Sequence, residues 1–173
     1  PGGCDPDERV KLMDSEGIDV SFLFPSLGLS WMGTTRDKDL SAAYCRVYND
    51  WIADFCGKHP DRLFPCILLP WLDVPESVKE LKRTAVHGTR AVMVPSTPPD
   101  DLAYGKTRWD PLWAEFQEQD IPLSLHPASG GTSGANILYP EFRMPSWWSF
   151  TANGVDVPLG YLSFFQDGAF DRF

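Results

Sequence analysis

One histidine stands where a parallel α/β sheet places its functional groups. His126 ends an apolar segment at residues 121–125 that has the composition of a buried strand, and a Gly- and Ser-rich stretch follows Pro127. In doubly wound sheets and in β/α barrels, sites form at the carboxyl ends of the strands. Imidazole binds metals and titrates near neutral pH, so His126 could bind a metal or move a proton. A histidine with a purely structural role fits the same position.

The other two histidines do not complete a site. His59 and His87 fall at the ends of predicted helices, where a cation is favourable and a structural role is sufficient. A catalytic zinc normally needs about three protein ligands and an open position for water. No second histidine or carboxylate cluster is near His126 in sequence, so further ligands must come from elsewhere in the fold or from outside these residues. No nucleophile elbow or Ser-His-Asp pattern is evident.

A candidate substrate-binding group follows His126 along the chain. Residues 129–154 are predicted to form a long loop, and a loop of that length in a compact domain is usually functional. It carries Arg143, Trp147 and Trp148, which could line a substrate pocket. Arginine is the natural partner of a carboxylate. Alternatively, Arg143 is a solvated loop charge and the two tryptophans cover the mouth of a barrel.

The elements that would position these groups alternate between helix and strand. Capping residues and apolar spacing predict strands at residues 18–25, 63–69, 90–94 and 121–126, with helices between them and a final helix at 158–173. This alternation predicts parallel strands joined by right-handed crossovers. Both a doubly wound sheet and a (β/α)8 barrel satisfy the pattern. No Gly-rich phosphate-binding motif follows a strand, which argues against a nucleotide-binding doubly wound sheet.

Composition excludes several classes of partner. The net charge is −9 and no cluster of Lys and Arg occurs, so we expect neither a nucleic-acid nor a membrane partner. The longest nearly apolar run, residues 64–72, is too short to span a bilayer. The four cysteines form no CxxC pair and are predicted to be buried free thiols, which favours a reducing, cytoplasmic location.

Six segments of the sequence, in order, resemble one family. They are residues 13–20 (MDSEGIDV), 48–51 (YNDW), 60–63 (PDRL), 110–113 (DPLW), 122–127 (PLSLHP) and 168–173 (GAFDRF). This series is similar to the amidohydrolase-related family of metal-dependent enzymes, which includes resorcylate-type decarboxylases. The resemblance implies an α/β fold that is part of a (β/α)8 TIM barrel of the metal-dependent hydrolase type. It places residues 1–173 in a single partial domain containing about strands 2–5 with their helices.

The resemblance also implies a metal site that is only partly present. In the family, a His-x-His on the first strand, a histidine at the end of the fifth and an Asp at the end of the eighth bind a divalent metal. His126 matches the fifth-strand histidine, which makes it a metal ligand, and the metal is expected to be Zn or Mn. The first strand and the C-terminal strands are absent from these residues. A full barrel has ~250 residues, so we expect the isolated piece to be inactive.

Three functions stay open at this point. The complete protein is expected to be a non-oxidative decarboxylase, or a hydrolase, that acts on a small carboxylated and often aromatic substrate. The alternative is a non-catalytic binding or interaction module derived from the same barrel. The expected partner is a small molecule, and the complete protein is expected to form a homo-oligomer.

Overall fold

The computed structural model describes residues 2–26, 28, 35–98, 103–127 and 146–173, with the backbone alone described at 146–153. Helices and strands alternate along the chain, as the sequence predicts. The elements are α1 (Pro6–Glu16), β1 (Ser21–Leu23), α2 (Lys38–Cys56), β2 (Leu63–Ile67), α3 (Val74–Ala85), β3 (Ala91–Pro95), α4 (Asp110–Gln119, preceded by a 3₁₀ turn at Thr107–Trp109), β4 (Leu123–His126), α5 (Ser146–Phe165) and α6 (Ala169–Arg172).

Aspartate side chains begin three of the helices. Asp5 accepts hydrogen bonds from the backbone N–H groups of the first turn of α1, Asp37 does so for α2, and Asp73 for α3. Each carboxylate satisfies a donor that has no partner within the helix and complements the positive end of the helix dipole. Gly17, with a φ of 70°, ends α1 in the left-handed conformation that glycine adopts without strain.

The four strands form one parallel sheet in the order β1-β2-β3-β4. The predicted strand positions and their parallel pairing are therefore confirmed, although β1 begins at Ser21 rather than at residue 18. Each strand pairs with the next one along the chain, which is the order of a β/α barrel. Strands β1 and β4 are the two edges of the sheet within the described residues.

The sheet is curled into half of a barrel. The ring centroids of Phe24, directly after β1, and His126, at the end of β4, are 5.9 Å apart. In a flat sheet these edge strands would be separated by three spacings of about 4.8 Å, roughly 14 Å in all. The two rings can meet only because the edges bend toward one another, so Phe24 and His126 lie on the concave face.

The main core lies between the sheet and the helices α3, α4 and α5. Val92 and Val94 of β3 contribute to it, and four buried aromatic side chains pack above them: Trp71, Tyr104, Trp109 and Trp113. A second cluster joins Tyr48, Ile52 and Phe55 of α2 to the strands. These layers hold the carboxyl ends of the strands at fixed positions, because close-packed interiors resist displacement.

The predicted loop at residues 129–154 is wrong over its last nine residues, because α5 begins at Ser146. Pro158 was expected to open this helix and instead lies inside it. The helix also ends earlier than expected, at Phe165, since Asp167 and Gly168 adopt positive φ values that break it.

Apolar spacing predicts that Leu159, Leu162 and Phe165 face the core, and this prediction is wrong. All three are exposed, whereas Gly160 and Phe164 are buried. Gly160 packs its backbone against Ser96, and this contact sets the rotation of the helix. Apolar spacing alone did not reveal a contact made by a residue without a side chain.

Three of the four cysteines are buried free thiols, as predicted: Cys45, Cys56 and Cys66. Cys4 is free but exposed, so the prediction of burial is wrong for this thiol. Of the helices that the structure describes, none combines the length and apolar character needed to cross a membrane.

Candidate metal and substrate site

Backbone pairing fixes His126 at the carboxyl end of β4. His126 is in register with Pro95, the last residue of β3. Its carbonyl oxygen accepts a hydrogen bond from the backbone N–H of Ser96 at 3.0 Å. The imidazole therefore extends from a backbone that is held on its neighbour, at the edge of the sheet where barrel enzymes place catalytic groups.

The hydrogen bond made by the His126 ring defines its tautomer. Nδ1 lies 2.7 Å from the carbonyl oxygen of Pro127. A carbonyl can only accept, so Nδ1 carries the hydrogen and, in the neutral ring, Nε2 carries the lone pair. Metal-binding histidines commonly donate their other ring N–H to a carbonyl in this way. The side chain therefore has the form that a metal ligand requires.

An aromatic side chain from the opposite edge strand contacts this histidine. The rings of Phe24 and His126 meet at an interplanar angle of 42°, and 39% of Phe24 is exposed. By strand alternation Phe22 shares the face of Phe24, and it contacts Phe64 with ring centroids 5.2 Å apart. The concave face is thus lined by phenyl rings that lead up to the imidazole.

A buried amide side chain of α2 holds the carboxyl end of β2. Asn49 of α2 is fully buried; its Nδ2 donates to the carbonyl of Leu68 at 2.8 Å and its Oδ1 accepts from the Leu68 N–H at 2.9 Å. Nδ2 also donates to Glu80 at 2.7 Å, and Glu80 pairs with Arg83. The side chain of Asn49 thus takes the place of a strand partner immediately after β2, which fixes the carboxyl end of that strand.

Two cavities flank the open edges of the sheet. One, of about 350 Å³, runs along β1 and is lined by Phe22 and Phe24 together with Trp51 of α2. The other, of about 370 Å³, lies beside Leu123 at the amino end of β4 and is lined by Phe170 among others. The second cavity is at the opposite end of the strand from His126, so it does not belong to the candidate site.

The remaining predicted site residues are not placed beside His126. Arg143 lies outside the described residues. Trp147 and Trp148 belong to α5 rather than to a loop, and their side chains are outside the described part. Their role in substrate binding stays a prediction. The sequence analysis does not identify Phe24, although its position near the end of the predicted strand at residues 18–25 and before Pro25 is a usable signal.

The other histidines have the structural positions that the sequence predicts. His59 Nε2 lies 2.6 Å from Asp7 and so ties α2 to α1, and His87 is exposed at the end of α3. Within the described residues, no group of three or more His, Cys, Asp or Glu side chains could hold a metal. The role of His126 as a metal ligand stays a prediction.

A curled parallel sheet of four strands joined by helices has the architecture of half a β/α barrel, and His126 lies at the carboxyl end of one of its strands. The sequence model of the amidohydrolase family matches residues 1–161. The chain belongs to this family, as the six segments predicted.

Curated relatives of the chain are decarboxylases. The gamma-resorcylate decarboxylase of Rhodococcus jostii is 30% identical over 180 residues, which cover 96% of this chain and 52% of the relative. The structure of 2,6-dihydroxybenzoate decarboxylase complexed with 2,6-dihydroxybenzoate superposes with a TM-score of 0.76 at 26% identity, over 96% of this chain and 52% of that one.

A third similar structure contains a metal. The dihydroxybenzoic acid decarboxylase of Polaromonas, with bound manganese and the inhibitor 2-nitroresorcinol, has a TM-score of 0.77 at 24% identity over 96% of this chain and 51% of that one. The chain therefore spans about half the length of the relatives it matches, and that half carries the half-barrel fold.

Proposed function

We propose that this chain forms half of a metal-dependent, non-oxidative decarboxylase that acts on small aromatic carboxylates. One observation carries the proposal: His126 ends a parallel strand with Nδ1–H donated to a carbonyl and with a phenyl ring beside it. A ligand nitrogen next to an apolar aromatic wall suits a substrate with a carboxylate at one end and a benzene ring at the other.

The relatives support this reaction over hydrolysis. Curated relatives that match nearly the whole chain include gamma-resorcylate decarboxylases, and this name specifies an aromatic carboxylate. In such a reaction the bond between the ring carbon and the carboxyl carbon breaks. The electron pair stays on the ring carbon, which takes a proton, and carbon dioxide leaves.

Within this reaction His126 has a binding role. Its Nε2 would be one of about four ligands of a divalent ion, and manganese is the first choice because the Polaromonas decarboxylase binds it. The ion would supply a Lewis acid that polarises a carboxylate oxygen. The donation of Nδ1–H to Pro127 holds the imidazole in one orientation, and the concave apolar face excludes water from the substrate ring.

The proposal includes location and assembly as expectations. A cytoplasmic enzyme fits the buried free thiols, and a homo-oligomer of the complete protein is expected. The 173 residues alone supply one described ligand, so we expect them to bind Mn²⁺ or Zn²⁺ weakly, with a dissociation constant above about 1 µM by titration calorimetry. Tighter binding at a single site would show that further ligands lie within the chain.

Turnover by the complete protein tests the proposal. We expect the manganese-loaded protein of natural length to convert 2,6-dihydroxybenzoate to resorcinol and carbon dioxide, and the apo protein to be inactive until manganese is restored. Chromatography of the products separates this outcome from hydrolysis of an ester or lactone. Metal-dependent hydrolysis without any release of carbon dioxide, or an absence of all turnover in a metal-loaded protein, would contradict the assignment.

A further inference from the structure

We propose that Phe24 determines substrate specificity: its ring forms an aromatic wall beside His126, against which the ring of an aromatic carboxylate stacks. This inference rests on the proposed function. It adds to that function a residue that recognises the π face of the substrate, whereas His126 acts, through the metal, only at the carboxylate.

The position of Phe24 leaves its ring available to a ligand. It lies on the concave face, and its ring centroid is 5.9 Å from that of the imidazole. Of its surface, 39% is exposed, while Met93 on the central strand β3 is fully buried. The ring of a substrate whose carboxylate binds next to His126 would lie within reach of Phe24, because the Phe24 and His126 rings are adjacent.

The backbone around Phe24 is fixed, as a recognition residue requires. Pro25 restricts the conformation of the residue before it, and Pro25 is itself buried. Gly28 approaches so closely that a Cβ there would lie 2.9 Å from Pro25 Cβ and 3.1 Å from Leu68 Cδ1. The segment after Phe24 is thus packed onto the end of β2, which holds the backbone of Phe24 in place.

A competing role for Phe24 is to orient the His126 ring alone. The two roles differ in what they affect. A residue that only orients the imidazole acts through metal binding, so its replacement changes the affinity for every carboxylate by the same factor. A stacking residue discriminates between ligands with and without a π face, because aromatic pairs gain a free energy beyond that of buried area.

The test compares two probes in the complete, manganese-loaded protein. Benzoate and cyclohexanecarboxylate share a carboxylate and a six-membered ring, and only benzoate has a π face. We expect Phe24→Leu to weaken benzoate binding by about two- to tenfold in calorimetry, to change cyclohexanecarboxylate binding by less than twofold, and to leave manganese per protomer unchanged. Phe24→Tyr should restore the preference for benzoate.

Phe170→Leu is the matched control, since Phe170 is also a half-exposed phenylalanine but lines the cavity at the opposite end of β4. It should leave both affinities unchanged. Equal weakening of both probes by Phe24→Leu, a loss of manganese, or no change in either affinity would overturn the proposal. Because these are binding measurements, they are separate from the turnover of 2,6-dihydroxybenzoate on which the proposed function stands.

Discussion

The α-carbon of Gly160 lies directly against the backbone of Ser96. A Cβ built on Gly160 would overlap the Ser96 carbonyl oxygen and lie 3.0 Å from both its carbonyl carbon and its Cα. Ser96 follows β3 and donates its N–H to the carbonyl of His126. The close approach therefore places α5 on the strand ends that position the candidate metal ligand.

Gly160→Ala is expected to lower the free energy of unfolding by about 2 kcal/mol. The added methyl group meets backbone rather than a flexible side chain, so helix and strand must separate. Urea denaturation followed by circular dichroism measures the change.

Gly154→Ala, in the same helix, is the matched control. No described atom lies within 4 Å of a Cβ at this exposed position, and alanine has the higher helix propensity. It should stabilise the protein by about 0.5–1 kcal/mol. Equal effects of the two substitutions would show that the contact with Ser96 is unimportant.

Removing the buried amide of Asn49 should cost about 3 kcal/mol of stability. Asn49→Ala leaves both the N–H and the carbonyl of Leu68 without their partner and takes one donor from Glu80. Buried polar groups left unsatisfied cost about 1–3 kcal/mol each, with partial relief from rearrangement. Chemical denaturation gives the value.

The neighbouring Asp50→Ala serves as its control. Asp50 is largely exposed and pairs with Arg83, and exposed ion pairs contribute about 0–1 kcal/mol. A loss below 1 kcal/mol in Asn49→Ala, comparable with that in Asp50→Ala, would mean that water replaces the amide at the end of β2.

The strands, and the position of His126 at the end of one of them, are predictable because alternation, aspartate caps and apolar runs are local signals. The contacts of Gly160 with Ser96 and of Asn49 with Leu68 join residues distant in sequence, so no local pattern contains them. Phe24 and His126 come from opposite edges of the sheet, and only the curvature of the sheet brings them together.

Alkaline pH should destabilise the protein through its buried thiols. Burial raises the pKa of Cys45 and Cys66 to about 12 and that of Cys56 to about 11, whereas an unfolded thiol titrates near pH 8.5. The folded state thus retains protons that the unfolded state releases. Stability is complete below about pH 8.5 and falls as the pH rises toward the folded values, by about 1.4 kcal/mol per pH unit for each thiol.

Denaturation at several values between pH 8 and 10.5 measures this slope. Cys66→Ala lowers stability at every pH by removing packing, and it should also make the slope less steep by about 1.4 kcal/mol per pH unit. Cys4→Ala, which removes an exposed thiol, is the matched control. A slope that does not respond to Cys66→Ala would assign the alkaline loss to other groups.

His126→Ala in the complete protein should remove metal and activity together. The imidazole lies at the rim of the half barrel, only partly buried, and its backbone contacts to Ser96 and Pro95 do not depend on the side chain. We expect manganese per protomer to fall by at least tenfold and turnover to fall below about 1% of the wild type, while the melting temperature changes by no more than a few degrees. His87→Ala, at an exposed helix end, should leave all three quantities unchanged.

If His126 were instead a structural residue, its replacement would lower the melting temperature and retain the metal. Metal analysis, turnover and thermal denaturation of the one variant therefore separate the two roles, and full metal occupancy with normal turnover would exclude His126 from the site.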